Sequence, residues 1–229
     1  MKDRHEPIQA ISFDVGGTLI EPWPSVGHVY AEMAGRFGVS GGAAEALNRR
    51  FAAAWQAKRD FDYSEAAWFD LVRQTFGERA AHLPADFFPA LYERFAQPDA
   101  WRIYDDVLPA LDELATVGIR LAVISNWDER LHPLLERLKL RGFFEVVIVS
   151  CEVGFAKPSP VIFQMALRRL GLPTGAVLHV GDSRREDTEG ARAAGLRAWH
   201  LDRGGAGDIA SLAGLRGWLA RPAGPRRRE

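Results

Sequence analysis

The sequence predicts an α/β protein whose parallel sheet core is interrupted by an inserted all-α helical segment. Two observations carry this expectation. From residue 101 onward, short apolar runs alternate with helix-like stretches of about ten residues, the pattern of strands covered on both faces by helical crossovers. One further apolar run, at residues 9–14, is separated from these by a long stretch of helical character.

Residues 9–14 (QAISFD) read as a buried strand that runs into a tight turn at Gly16 and Gly17. The insert follows, at residues 21–100. Four helix-like stretches fill it, at 25–37, 43–58, 64–77 and 85–96, and no convincing strand stands among them. Its aromatics, including Trp55, Phe61, Trp68 and Phe69, are expected to form a small core of their own. Beyond residue 101 the expected order is helix 107–116, strand 119–124, helix 128–140, strand 145–150, helix 159–170, strand 176–180, helix 186–194, strand 196–201 and helix 209–219. Gly118, Gly171 and Gly195 stop three of these helices, and Ser159-Pro160 opens one. The core therefore takes residues 1–20 and 101–229, and the insert 21–100.

Composition excludes several classes. Hydrophobic residues make up 47% and charged residues 26%, which fits a globular chain. A net charge of -1 gives no electrostatic reason for a nucleic-acid partner. No apolar run reaches the roughly 18 residues that span a bilayer, and residues 1–10 lack the apolar stretch of a signal peptide. The single cysteine, Cys151, fits a reducing cytoplasm. The Arg-rich tail at 221–229 is read as a solvated end. A monomer or homodimer is expected.

Ligands of open parallel sheets bind beyond the carboxyl ends of the strands. The polar residues placed there are Asp14, Ser125 with Asn126, Lys157, Asp182 and Asp187. Three carboxylates, a hydroxyl and an ammonium at one sheet edge suit phosphoryl transfer. Asp14 and Asp182 are hard oxygen ligands of the kind that hold Mg²⁺, and a carboxylate can attack phosphorus to form an acyl phosphate. Ser125 and Lys157 would hold phosphoryl oxygens, and the turn at Gly16, Gly17 and Thr18 exposes backbone N–H groups that cradle an anion. Taken singly, each residue has a plainer reading: Asp14 as a turn former, Ser125 and Asn126 as caps of the next helix, Lys157 as a loop lysine. His179 and Cys151 read as packing or supporting residues.

In order and spacing, four segments resemble the motifs of haloacid dehalogenase-like (HAD) hydrolases: Asp-x-x-Gly-Thr at 14–18, Ser-Asn at 125–126, Lys-Pro at 157–158 and Gly-Asp-x-x-x-x-Asp at 181–187. The resemblance covers nearly the whole chain. It implies a Rossmann-like core and a helical cap of the C1 type. By resemblance Asp14 is the nucleophile and a metal ligand, with Ser125 and Lys157 as its catalytic partners. Mg²⁺ is then also held by the Gly16 carbonyl and Asp182, and Asp187 is a ligand or a support behind one. Gly17, Thr18, Ser125, Asn126 and Lys157 bind a small phosphorylated substrate.

One position departs from the pattern. Phosphatases of this family usually carry a second Asp two residues after the nucleophile, as general acid and base; here it is Gly16. Losing such a group forfeits roughly 10²–10⁴-fold in rate. A silent phosphate-binding scaffold is therefore one alternative. A metal-free dehalogenase is another, since a departing halide needs no proton, although those enzymes generally have Ser-Asn where this chain has Gly181-Asp182. A phosphonatase-like activity would need a Schiff-base lysine in the insert, where Lys58 is the one lysine present.

Overall fold

The computed structural model describes residues 7–58 and 61–219; the Arg-rich tail at 221–229 lies outside them. In chain order the elements begin with β1 (Ala10–Phe13), β2 (Ile20–Pro22), α1 (Val26–Arg36), α2 (Ala44–Ala57), α3 (Glu65–Phe76), α4 (Phe87–Arg94) and β3 (Trp101–Ile103). They continue with α5 (Val107–Thr116), β4 (Arg120–Ser125), α6 (Leu131–Arg137), β5 (Val146–Val149), α7 (Ser150–Val153), α8 (Pro160–Leu170), β6 (Val177–Gly181), α9 (Gly190–Ala193), β7 (Arg197–His200) and α10 (Leu215–Leu219).

The chain divides into two compact units. The first takes residues 1–19, 104–126 and 140–229. Its five-stranded sheet has the order β5-β4-β1-β6-β7, with every pair parallel. Apart from β7 (RAWH), which is mostly half-buried, the strands are short and largely apolar runs buried on both faces, as in AISF and VVIV. From the central β1 the chain builds β4 and β5 on one side, then crosses to build β6 and β7 on the other. The reversal at β1 and β6 leaves a crevice at their carboxyl ends. Helix α8 covers one face with Ile162, Phe163, Ala166 and Leu167, packed against Ala122, Ile124, Ile148 and Val177. Its start and stop are local: Ser159 Oγ accepts the Val161 N–H, Pro160 stands in the first turn, and Gly171 closes the helix at φ 65°.

The second unit takes residues 20–103 and 127–139. Helices α1 to α4 match the four expected stretches closely, with Ser25 and Ser64 as side-chain N-caps of α1 and α3. Tyr30, Phe76 and Phe87 anchor the interior, with Tyr30 stacked on Phe76 at 5.8 Å and Phe87 edge-on to Phe76 at 5.5 Å. Each buried ring of this kind contributes about 1.5–3 kcal/mol, and the ring pairs add to it. The expected core aromatics divide: Phe69 packs against this cluster, whereas Trp55, Phe61 and Trp68 lie outside it, half-buried, with Trp55 stacked on Trp68 at 5.7 Å and Phe61 edge-on to Trp68 at 4.9 Å.

Residues 127–139 are tied into this unit by charge. Asp128 is fully buried and grips Arg130, accepting from its Nε at 2.7 Å and its Nη2 at 2.6 Å. The same carboxylate accepts Trp68 Nε1–H at 2.7 Å. Arg130 also donates to the Tyr92 carbonyl at 2.6 Å and lies 3.4 Å above the Tyr92 ring.

Four expectations need correction. The insert does contain β-structure: β2 and β3 pair antiparallel at its two ends, each only three residues long. The helix expected from residue 128 begins at Leu131, because the Asp128 carboxylate turns back to accept the Arg130 N–H. The helix expected over 186–194 is replaced by one π-helical turn at Arg184–Glu189 and the short α9. The last helix begins only at Leu215, since Ile209 bridges to Leu201 and Asp106 holds Ser211 Oγ and the Leu212 N–H.

The Asp128 site yields a prediction. Asp128→Ala leaves the buried Arg130 guanidinium without its carboxylate and should destabilise the helical unit by about 3–5 kcal/mol. Urea unfolding followed by tryptophan fluorescence measures this; a loss below about 1 kcal/mol would show that the ion pair is dispensable.

Candidate active site

The carboxyl edge of the sheet brings together every titratable group expected there. Asp14 follows β1, and its N–H is held by the Val180 carbonyl at 2.9 Å. Ser125 is the last residue of β4, and its Oγ–H donates to Asp14 Oδ1 at 3.0 Å. Lys157 Nζ reaches the same oxygen at 2.6 Å and Asp187 Oδ1 at 2.5 Å. Asp182 follows β6, and one oxygen each of Asp14, Asp182 and Asp187 lies within 4.8 Å of the others. Of the three carboxylates, Asp14 and Asp187 are buried and Asp182 is exposed.

The π-helical turn aims Asp187 inward. Both the Asp187 and Thr188 N–H groups donate to the Ser183 carbonyl, at 2.9 and 3.2 Å, and the wider turn brings the Asp187 carboxylate back to the Ser183 N–H at 2.9 Å. Both Asp187 oxygens are therefore engaged by protein donors.

Burial and charge set the proton affinities. Burial pushes Asp14 up to about 6, helped by the Asp187 charge and opposed by Lys157. Although Asp182 is exposed as a residue, its carboxyl is crowded on the site side. Burial there, then the charges of Asp14 and Asp187, push it up to about 8. For Lys157 burial acts downward, but the two carboxylates outweigh it and hold the ammonium well above the usual lysine range. Asp187 is held low, because Lys157 and His179 overcome its burial. His179 is lowered by burial and stays neutral despite Asp187.

The other expected residues divide. Asn126 is present, but its side chain is spent on the protein. Its Oδ1 accepts the Lys157 N–H at 2.6 Å, and its Nδ2 donates to the Lys157 carbonyl at 3.0 Å and to Glu186 Oε2 at 3.1 Å. It braces the segments that carry Ser125, Lys157 and Asp187. Thr18 is fully buried, its hydroxyl has no hydrogen-bond partner, and its N–H donates to the Val15 carbonyl at 3.3 Å, so neither its side chain nor its N–H is presented to an anion as expected. Gly17 takes φ +77°, and a Cβ there would come within 2.4 Å of Asp182 Oδ2. The turn thus lies close against the Asp182 carboxylate. Gly16 is not among the left-handed positions.

Two contacts escaped the sequence reading. His200 Nε2–H donates to the Asp182 carbonyl at 3.0 Å and steadies that backbone. Arg203 donates to the Thr18 carbonyl at 2.8 Å, pairs with Asp106 at 3.1 Å and covers the Tyr104 ring at 3.7 Å. Neither residue belongs to a motif, so only coordinates reveal them.

A stability prediction follows from the raised carboxyls. Asp14 and Asp182 bind protons more tightly folded than unfolded, from an ordinary value of 3.8. Their contribution is fully present below about pH 4 and is lost as pH rises through about 6 and then about 8. In EDTA the melting temperature should therefore fall across that window, and Asp182→Asn should flatten the upper half. An unchanged slope in Asp182→Asn would refute the assignment.

Comparison with known proteins agrees with this geometry. The haloacid dehalogenase-like hydrolase family matches residues 8–195. The human protein named haloacid dehalogenase-like hydrolase domain-containing protein 3 is 35% identical over 204 residues, covering 84% of this chain and 81% of that one. A glyceraldehyde 3-phosphate phosphatase of Methanopyrus kandleri is 30% identical over 215 residues, covering 86% and 85%. The crystal structure of a HAD phosphatase from Thermococcus onnurineus superposes with a TM-score of 0.68 at 27% identity, covering 93% of this chain and 98% of that one. The chain therefore belongs to the haloacid dehalogenase-like hydrolase family.

Proposed function

We propose that this hydrolase is a Mg²⁺-dependent phosphatase for small phosphorylated metabolites, working through a phosphoryl group carried on Asp14. The observation that carries this reading is the convergence of Ser125 and Lys157 on one oxygen of Asp14, beside the Asp182 carboxylate. The phosphatase names of two relatives support it.

The residues fit a divalent cation. Hard oxygens from Asp14 and Asp182, with the Gly16 carbonyl, would hold Mg²⁺, and the side-chain-free turn at Gly17 leaves the Asp182 carboxylate room. Three carboxylates face one ammonium, and a divalent ion would offset their excess negative charge as Asp182 ionises. When bound, that ion supplies the positive charge that lets a carboxylate approach a phosphate. Asp187, with both oxygens already engaged, serves to hold Lys157. Residues 21–100 serve as the cap.

The chain's own groups then act in sequence. Ser125 Oγ–H and Lys157 fix the Asp14 carboxylate in one orientation, and both carry donors suited to phosphoryl oxygens. A carboxylate oxygen of Asp14 bonds to phosphorus as the bond from phosphorus to the leaving oxygen breaks. Water then attacks the phosphoryl group, releasing inorganic phosphate and restoring Asp14. Glycine at position 16 supplies no proton to the leaving oxygen and takes none from the water. Turnover should therefore depend on how well the leaving group departs unaided.

The second reading, a phosphate-binding protein without turnover, is favoured by that same Gly16. Dehalogenation is less favoured, because Gly181-Asp182 stands where metal-free dehalogenases generally have Ser-Asn, adding a carboxylate suited to a metal. A Schiff base at Lys58 is also less favoured: its ammonium stands 3.8 Å above the Trp55 ring, a contact that stabilises the charged form, whereas imine formation needs the neutral amine.

Release of inorganic phosphate from a metabolite panel, with Mg²⁺ and with EDTA, tests the proposal. Activity is expected only with the metal, and Asp14→Asn should abolish it. Turnover surviving in Asp14→Asn would remove the nucleophile; no turnover of any substrate would leave the binding reading.

Leaving-group dependence is the sharper test. Aryl and acyl phosphates should be hydrolysed well ahead of alkyl phosphates. Gly16→Asp should then raise alkyl-phosphate turnover by some part of the roughly 10²–10⁴-fold that general acid–base catalysis supplies. The backbone at position 16 adds no left-handed strain to that change. Equal wild-type rates on alkyl and aryl esters would mean that another proton donor is at work.

A further inference from the structure

We propose that His179 is a positioning residue, acting through Asp187 to fix where the Lys157 ammonium stands. The sheet register places Ser12 of β1 directly beside His179 of β6, and both are fully buried. Neither belongs to any of the four motifs. Ser12 Oγ lies 2.9 Å from His179 Nδ1, and Asp187 Oδ1 lies 3.1 Å from Nε2. Phe163 of α8 packs edge-on against the imidazole, with centroids 5.3 Å apart.

These partners determine the tautomer. A carboxylate only accepts, so Nε2 carries the proton and donates to Asp187. In the neutral ring Nδ1 is then an acceptor, and the Ser12 hydroxyl donates to it. Both ring nitrogens are thus spent on side chains, and one of those is the carboxylate that grips Lys157 at 2.5 Å. The Ser183 N–H holds the other Asp187 oxygen. The carboxylate is fixed at both ends, and from it Lys157 Nζ spans to Asp14 at 2.6 Å. Misplacing a reacting or binding group by an ångström can cost about 10²-fold, so the orientation of Asp187 matters to whatever Lys157 binds.

The inference rests on reading Lys157 as a phosphate-binding group, but its first test does not. Histidine side-chain ¹⁵N spectra of the wild-type protein at neutral pH should show His179 as the neutral Nε2–H tautomer. A proton on Nδ1 instead would overturn the proposal.

Two substitutions supply the second test. The amide of His179→Gln is long enough to donate to Asp187, whereas His179→Asn keeps a partner for Ser12 but is too short to reach Asp187. By calorimetry with Mg²⁺ present, His179→Asn should bind inorganic phosphate about 10–100-fold more weakly, and His179→Gln should recover most of that loss. Mg²⁺ affinity without phosphate should change little in either. Equal phosphate affinities in the two variants would make His179 a packing residue and end the proposal. If the wild type binds no phosphate, the phosphatase reading fails by itself. Positioning is then read from the Lys157 ammonium ¹⁵N signal, expected in the wild type and His179→Gln and broadened in His179→Asn; the same signal in all three overturns it. Should both variants fail to fold, the wild-type tautomer decides.

Discussion

The site depends on one buried ammonium shared by two carboxylates. Lys157 bridges Asp14 and Asp187, and all three are nearly or fully removed from water. An unpaired charge at this depth costs several kcal/mol, so each member of the bridge requires the others. Asp14 comes from β1, Lys157 from the loop before α8, and Asp187 from the π-helical turn after β6. The sheet exists in this order partly as the frame that holds those three segments within bonding distance. Asn126 reinforces the frame by bonding both the N–H and the carbonyl of Lys157, which ties the second and third motifs together.

Much of this was legible before any coordinates. Strands that are apolar on both faces declare themselves as runs, and a polar residue immediately after such a run marks the sheet's carboxyl edge. Asp14, Ser125 and Asp182 stand out that way, Lys157 by its place before the Ser159-Pro160 helix start and Asp187 by its spacing from Asp182, while the helices of the insert are bounded by breaks such as Gly38 and Leu83-Pro84. What stayed hidden has three physical causes. The β2–β3 ribbon is three residues a side, too short for alternation to register. The π-helical turn brings the Asp187 carboxylate back to the Ser183 N–H, a contact that a helical periodicity cannot announce. The engaged side chain of Asn126 and the buried hydroxyl of Thr18 are matters of direction: a motif specifies which residue is present but not where its atoms point.

The two units keep their shape by different means. The sheet unit buries branched aliphatics, where regular strands give each side chain a repeating slot. The helical unit relies on aromatic rings meeting at edges and faces, and on the Asp128–Arg130 pair with Trp68 and Tyr92 around it. Flat rings tolerate the irregular gaps between short helices better than branched chains do, but each contact is specific in angle. Asp128, fully buried among them, ties Arg130 and Trp68 together, and without it the guanidinium would be left buried and unpaired.

The adjacent glycines of the first turn also bear on how such a site evolves. Position 17 is closed: its left-handed backbone and the Asp182 carboxylate 2.4 Å from any added Cβ exclude every other residue while that carboxylate stays in place. Position 16 carries no such backbone constraint. Some glycine codons lie a single nucleotide from an aspartate codon, so glycine and aspartate can be exchanged there in one mutational step, which on the proposed phosphatase reading adds or removes a proton-transfer group. The neighbouring glycine keeps the carboxylate pair undisturbed meanwhile. On that reading, reactivity toward poor leaving groups is a trait that selection can switch on or off without rebuilding the scaffold.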